Sequence, residues 1–260
     1  MSIARQLAVV PLLLITVSAV QADVTTTLRR GRLSITGDGD ENHIRVLVSD
    51  RVYVWTDKDE EEPDDDFPLG DVDEVRIRTR GAADCITAAQ HSFVPLTGFS
   101  SDDFGGVDLD LNSGSGDDEV SICGCWRETK VVTGGGSDSI TIGSAKFTGE
   151  CTFKTGGGGD SVSIGQHFVD GSGAAAFGGP TTYFDDDLIL TMGGGDDYLS
   201  IGSVGFDFPS DDRAASMETE RVVLNGNAGM DCLYLSTHSA MQLLEYARSF
   251  EDCDEDIEIE

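Results

Sequence analysis

The sequence predicts an all-β protein: a parallel β-solenoid of about seven or eight coils over residues 23–236, closed by a C-terminal capping helix and acidic tail over 237–260. Three observations predict it. Seven segments share one pattern, apolar and polar residues alternate on both sides of a central turn, and the turn is built from glycine and closed by a carboxylate.

Residues 1–22 come first and read as a signal peptide. Arg5 supplies the positive start, residues 7–15 are apolar, and Val20-Gln21-Ala22 offers small residues for cleavage. The apolar run is too short to span a membrane comfortably, so the expected location is secreted or in the cell envelope. Cleavage after Ala22 leaves 16 basic against 48 acidic side chains. Such a chain is repelled by nucleic acid and by anionic lipid, and it collects cations.

The repeats follow. They occupy 33–46, 75–88, 109–122, 129–142, 151–164, 188–201 and 222–235, registered on Asn42, Asp84, Asp118, Asp138, Asp160, Asp197 and Asp231. Two residues after this anchor stand Ile44, Ile86, Val120, Ile140, Val162, Leu199 and Leu233. Four after it stand Val46, Ala88, Ile122, Ile142, Ile164, Ile201 and Leu235. Seven before it stand Ile35, Ile77, Leu111, Val131, Phe153, Leu190 and Leu224, and nine before it Leu33, Val75, Leu109, Thr129, Cys151, Leu188 and Val222. Period-two columns of this kind mean two short strands per repeat, each with one inward face. A single repeat cannot bury its own apolar face, so the repeats must stack.

The shortest anchor spacings, 20 and 22 residues, set the coil length. Longer spacings carry insertions such as 166–186 and 203–220, and the 42 residues between Asn42 and Asp84 have room for a degenerate coil around Val52-Tyr53-Val54-Trp55. The acidic run 57–66 reads as a solvated loop.

The turns include Ser113-Gly-Ser-Gly-Asp-Asp118, Thr133-Gly-Gly-Gly-Ser-Asp138, Thr155-Gly-Gly-Gly-Gly-Asp160, Met192-Gly-Gly-Gly-Asp-Asp197 and Gly226-Asn-Ala-Gly-Met-Asp231. Their peptide carbonyls and closing carboxylates are the hard oxygen donors that calcium prefers. Stacked aspartates about 4.8 Å apart repel by roughly 1 kcal/mol in water and 3–4 kcal/mol at an effective dielectric of 20, which calls for cations. The alternative role for each aspartate is to cap its turn by accepting backbone N–H bonds.

These turns resemble the haemolysin-type (RTX) calcium-binding repeat, Gly-Gly-x-Gly-x-Asp-x-Leu-x. The resemblance implies ions held between successive turns. Carried over by position, the ligands are the carboxylates of Asp118, Asp138, Asp160, Asp197 and Asp231, with Gly134, Gly136, Gly156, Gly158, Gly193 and Gly195 in the turns. Three departures stand out. The family repeats its motif every nine residues, against one motif per coil here. The family's first glycine is also replaced by Ser113, Thr133, Thr155 or Met192, and the first anchor is Asn42.

Six cysteines in an exported chain point to disulfides, with 15 possible pairings. Cys151 falls in an inward column and reads as a buried thiol, and a Cys232–Cys253 bridge would tether the tail. Ala240, Leu243, Leu244, Ala247 and Phe250 recur at helical spacing, which predicts the capping helix over 237–250.

No catalytic motif is evident, so the leading expectation is a non-enzymatic, calcium-stabilised structural or surface protein acting outside the cell on an extracellular polysaccharide or surface protein. One alternative is a β-helical polysaccharide lyase or hydrolase using Arg76-x-Arg78-x-Arg80, whose simpler role is salt bridging. The other is a carbohydrate-binding or adhesive module using outward Ser/Thr columns.

Overall fold

A computed structural model describes residues 23–57, 60–90, 106–165, 182–202, 204–206, 222–235 and 247–250. Residues 1–22, most of the two insertions, Cys253 and the acidic tail lie outside the described residues.

The chain forms β1 (Thr25–Arg29), β2 (Arg32–Thr36), β3 (His43–Val48), β4 (Arg51–Trp55), β5 (Asp65–Pro68), β6 (Glu74–Arg78), β7 (Cys85–Gln90), β8 (Asp108–Asn112), β9 (Glu119–Trp126) and β10 (Thr129–Gly135). It continues with β11 (Ser139–Phe147), β12 (Cys151–Gly157), β13 (Ser161–Ile164), β14 (Thr182–Phe184), β15 (Leu188–Thr191), β16 (Tyr198–Ile201), β17 (Val204–Phe206), β18 (Val222–Asn225), β19 (Cys232–Leu235) and β20 (Ala247–Arg248). A single 3-10 turn, Leu69–Asp71, joins β5 to β6. The protein is all-β among the described residues.

Each repeat sends one strand to each of two sheets. The first sheet runs β1-β2-β6-β8-β10-β12-β15-β18-β20, and the second runs β5-β4-β3-β7-β9-β11-β13-β16-β19. From β2 and β3 onward these neighbours are parallel, and their register joins the columns read from the sequence. Leu33 stands beside Val75, Val75 beside Leu109, Leu109 beside Thr129, Thr129 beside Cys151, and Cys151 beside Leu188. In the second sheet Ile44, Ile86, Val120, Ile140, Val162, Leu199 and Leu233 form a continuous row. Inward residues of both sheets belong to one buried cluster. Each aliphatic member contributes about 1.5–3 kcal/mol through burial.

The N-terminal end differs from the expectation of an extra coil. Val52–Trp55 alternates because it is β4, which pairs antiparallel with β3 and with β5. The connector Ser49-Asp50 is only two residues long. A parallel crossover needs about a dozen or more, so the short connector enforces a hairpin. On the other sheet, β1 likewise pairs antiparallel with β2.

The C-terminal helix is not what the described residues show. Residues 237–246 lie outside them, but Ala247–Arg248 is strand β20, paired with Leu224 and Asn225 of β18. The open edge of β18 offers backbone groups that need partners, and strand pairing at that edge overrides the helical spacing of the side chains.

In mid-chain, β9 and β11 run past their apolar columns through an irregularity between Ile142 and Ala145. Beyond it Phe147 pairs with Trp126 on one side and Phe184 on the other, and all three rings are buried. Phe147 stacks on Phe184 with centroids 5.1 Å apart and meets Phe153 edge-on at 6.0 Å.

Candidate functional site: the stacked turns and their aspartate column

Between the strand pairs the chain must turn a corner, and a corner leaves backbone groups outside the sheet ladders. The anchor residue solves this with its own side chain. Oδ1 of Asp84 accepts the backbone N–H of Asn42 at 2.8 Å. Asp118 does the same for Asp84 at 2.9 Å, Asp138 for Asp118 at 3.0 Å, and Asp160 for Asp138 at 2.9 Å. Asp197 accepts from Asp160 at 2.8 Å, and Asp231 from Asp197 at 3.3 Å. The sequence gap between partners ranges from 20 to 42 residues, so the insertions leave the contact intact. All seven anchors are at most 2 % exposed.

The anchor carbonyls complete the link. Those of Asn42, Asp84, Asp118, Asp138, Asp160 and Asp197 each accept the N–H that follows the next anchor, at 2.7–2.9 Å. One residue type at one position therefore holds both polar groups of the corner. Aspartate suits the task because its short side chain reaches a neighbouring backbone N–H.

Asn42 fits the same logic. It begins the column, with no earlier anchor N–H to accept, so it needs no carboxylate. Its amide Nδ2 instead donates to Asp84 Oδ1 at 2.9 Å and to the Asp40 carbonyl at 2.6 Å.

The second carboxylate oxygens carry the electrostatic cost. Oδ2 of Asp84, Asp160 and Asp197 is buried and accepts no hydrogen bond. Burial is the main force raising the Asp118 pKa, to about 6. Repulsion from Asp138 and Asp84 adds to it, while the Ser113 hydroxyl and the Asp84 N–H oppose it. Asp197 is raised to about 6, again chiefly by burial, with Asp160, Asp231 and Asp196 adding repulsion. Asp138 is also raised, for the same first reason.

Beside the aspartates runs a second inward polar row that the sequence reading passed over. Thr79 Oγ1 donates to the Ser113 carbonyl at 2.5 Å, Ser113 Oγ to the Thr133 carbonyl at 3.3 Å, and Thr133 Oγ1 to the Thr155 carbonyl at 3.2 Å. The signal was present: Leu109, Leu111 and Ser113 continue the period-two inward series. Two outer aspartates add further clamps. Asp117 accepts the Ser137 N–H at 2.8 Å, and Asp196 accepts the Met230 N–H at 3.0 Å.

The glycines answer to stacking. Gly136 has φ +139°, and a Cβ there would press into the Gly116 carbonyl oxygen. Gly158, at φ +139°, faces the Gly136 carbonyl in the same way. The carbonyl oxygens of Gly134, Gly156 and Gly195 similarly abut the glycines at 156, 193 and 229. Those of Gly158 and Gly193 meet Gly195 and accept the Ala228 N–H at 3.4 Å, respectively. The Gly156 carbonyl also accepts the Gly194 N–H at 2.7 Å.

The structure thus brings the five aspartates and six glycines named from the sequence into one continuous stack. The aspartate Oδ1 atoms face the preceding repeat's anchor N–H groups, and the glycine carbonyl oxygens face the following repeat. That donor set fits backbone capping. Among the described residues, no group of three or more His, Cys, Asp or Glu side chains is placed to hold a metal ion.

The remaining candidates fall elsewhere. Arg76 pairs with Glu74 and Asp110, both at 3.0 Å, and Arg78 pairs with Asp110, so these two arginines serve as salt bridges on the outward face of the first sheet. Cys151 is buried in the inward column. Cys123 is also buried, which pushes its thiol up to about 11.

Compared with known family models, curated proteins and solved structures, the chain matches none.

Proposed function

We propose that this chain is an exported, non-enzymatic structural protein of the cell surface or its surroundings, built as a parallel β-solenoid whose coils are locked by an internal aspartate column. The observation that carries the reading is the unbroken series of Oδ1 to N–H bonds from Asn42 to Asp231. Arg76 and Arg78, the arginines that the lyase reading would use, are instead paired with Glu74 and Asp110 and help hold the repeats together. Export rests on the sequence of residues 1–22.

Calcium has a different place in this reading from the one the turn motif suggests. Backbone capping supplies the lock, and an acidic surface would collect divalent ions only diffusely. The test has two parts. Expression of the full chain in a secreting host should release a product whose intact mass begins at Asp23. Its melting temperature should shift by less than about 3 °C between chelator and millimolar calcium, since weak surface pairing contributes under ~1 kcal/mol. Retention of residues 1–22 in the released protein would count against export by cleavage. A calcium-dependent rise of tens of degrees would show that ions, rather than the carboxylate caps, lock the coils.

A further inference from the structure

The two outward faces differ in chemistry. On the first sheet, β8, β10 and β12 present Asp108, Asp110, Lys130 and Lys154 outward, and Glu128 and Glu150 flank those strands. On the second sheet, the same repeats present hydroxyls: Ser121, Ser139, Thr141, Ser161 and Ser163, each half-buried in the manner of a sheet face. Glu119, at the margin, is the one charged outward position on β9, β13 and this part of β11. In a chain with 65 charged residues among 260, a neutral strip of this extent sets one face apart.

The strip ends on two aromatic rings. Tyr198 and Tyr234 are each 44 % exposed, on the adjacent strands β16 and β19. Tyr198 pairs with Cys232, and Ser200 pairs with Tyr234, so the rings lie one strand and two residues apart. Strand geometry makes that about 8 Å along a diagonal, and it spaces the hydroxyl rows about 4.8 Å across strands and about 6.8 Å along them.

We infer that this outward face of the second sheet is a docking surface for an uncharged polysaccharide, with Tyr198 and Tyr234 packing against sugar rings and the Ser/Thr rows bonding their hydroxyl edges. A hydroxyl both donates and accepts, as does every hydroxyl of a neutral glycan, so a flat row of them matches such a polymer without a fixed polarity. Tyrosine offers an apolar ring face together with a polar tip. Charge selects among occupants. A formal net charge of −31 repels acidic polysaccharides, and it equally opposes a second copy of the chain. The inference rests on the exported reading only for where the partner is met.

The experiment mixes the purified mature chain with insoluble uncharged polysaccharides (cellulose, chitin and a β-1,3-glucan), with acidic polygalacturonate as a contrast, and measures depletion from solution. At least one uncharged polymer should retain the protein. Tyr198→Ala with Tyr234→Ala should weaken retention at least tenfold, whereas Lys130→Ala on the opposite sheet should leave it unchanged. Thr141→Lys, which sets a charge in the middle of the strip, should weaken it too and serves as the deciding variant if the double substitution does not fold. Four results would overturn the inference: no retention by any uncharged polymer, retention by polygalacturonate alone, retention indifferent to these substitutions, or tyrosine-dependent self-association in sedimentation. None of them touches the export or the melting behaviour on which the structural reading depends, so the two can fail separately.

Discussion

Replacing Asp138 separates a capping carboxylate from an ion-binding one, because alanine and asparagine remove different things. Alanine removes Oδ1, which accepts the Asp118 N–H at 3.0 Å. That N–H lies in a buried corner, and leaving it unsatisfied costs about 1–3 kcal/mol. The lost bond had a carboxylate acceptor, which places it toward the upper part of that range. Removing a buried carboxylate whose pKa is already raised returns part of the cost. A net loss of about 1–2 kcal/mol follows, or about 2–8 °C in melting temperature for a chain of this size. Asparagine keeps the acceptor oxygen. Its Nδ2 can donate to the next anchor as that of Asn42 donates to Asp84. Asp138→Asn should therefore stay within about 1 kcal/mol of the parent protein. The assay is a thermal melt followed by circular dichroism, run in chelator and again in millimolar calcium. If asparagine proves as damaging as alanine, the negative charge matters rather than the acceptor, and the capping argument fails.

Two further outcomes follow from the same geometry. The folded pKa values of Asp118 and Asp197 are raised from 3.8 to about 6, so their protonated forms favour the fold. This contribution is complete below the unfolded pKa and is lost as pH rises through about 6. A shift of about two units corresponds to roughly 3 kcal/mol at most for each group. The melting temperature in chelator should accordingly climb as pH falls from 7.5 toward 4.5, and the Asp118→Asn, Asp197→Asn double variant should flatten that slope; a melting temperature that falls on acidification would contradict the electrostatic account. Gly136→Ala should cost about 3 kcal/mol or more, because alanine is strained at φ +139° and its Cβ meets the Gly116 carbonyl. Gly135→Ala, where the nearest atom to a new Cβ is the Gly157 oxygen at 4.0 Å, should fold and melt close to the parent protein.

The apolar columns were legible because each recurs seven times at one offset, and Ile140 or Val162 can be read inward from its neighbours alone. Strand direction was not. Val52-Tyr53-Val54-Trp55 alternates as any strand does, and only the length of the Ser49-Asp50 connector distinguishes a hairpin from another coil. Ala247 and Phe250 sit at helical spacing with Leu243, yet what governs Ala247–Arg248 is the unpaired edge of β18, a feature of the assembled sheet. The aspartates show a different limit. Calcium binding and N–H capping ask for the same residues at the same offsets. Their discrimination depends on where Oδ1 and the glycine carbonyls point once the turns stack. Tyr234 continues an outward Ser/Thr column, and the exposed face that it shares with Tyr198 emerged only from the register of β16 and β19.

Amide hydrogen exchange of the protein in chelator tests the aspartate column most directly. The backbone N–H groups of Asp84, Asp118, Asp138 and Asp160 should exchange as slowly as those of the core strand residues Ile140 and Val162, because each is buried and bonded to the next carboxylate. In Asp138→Ala, protection should fall most at Asp118. Anchor amides that exchange at the rate of unprotected peptide while the strands stay protected would contradict the account.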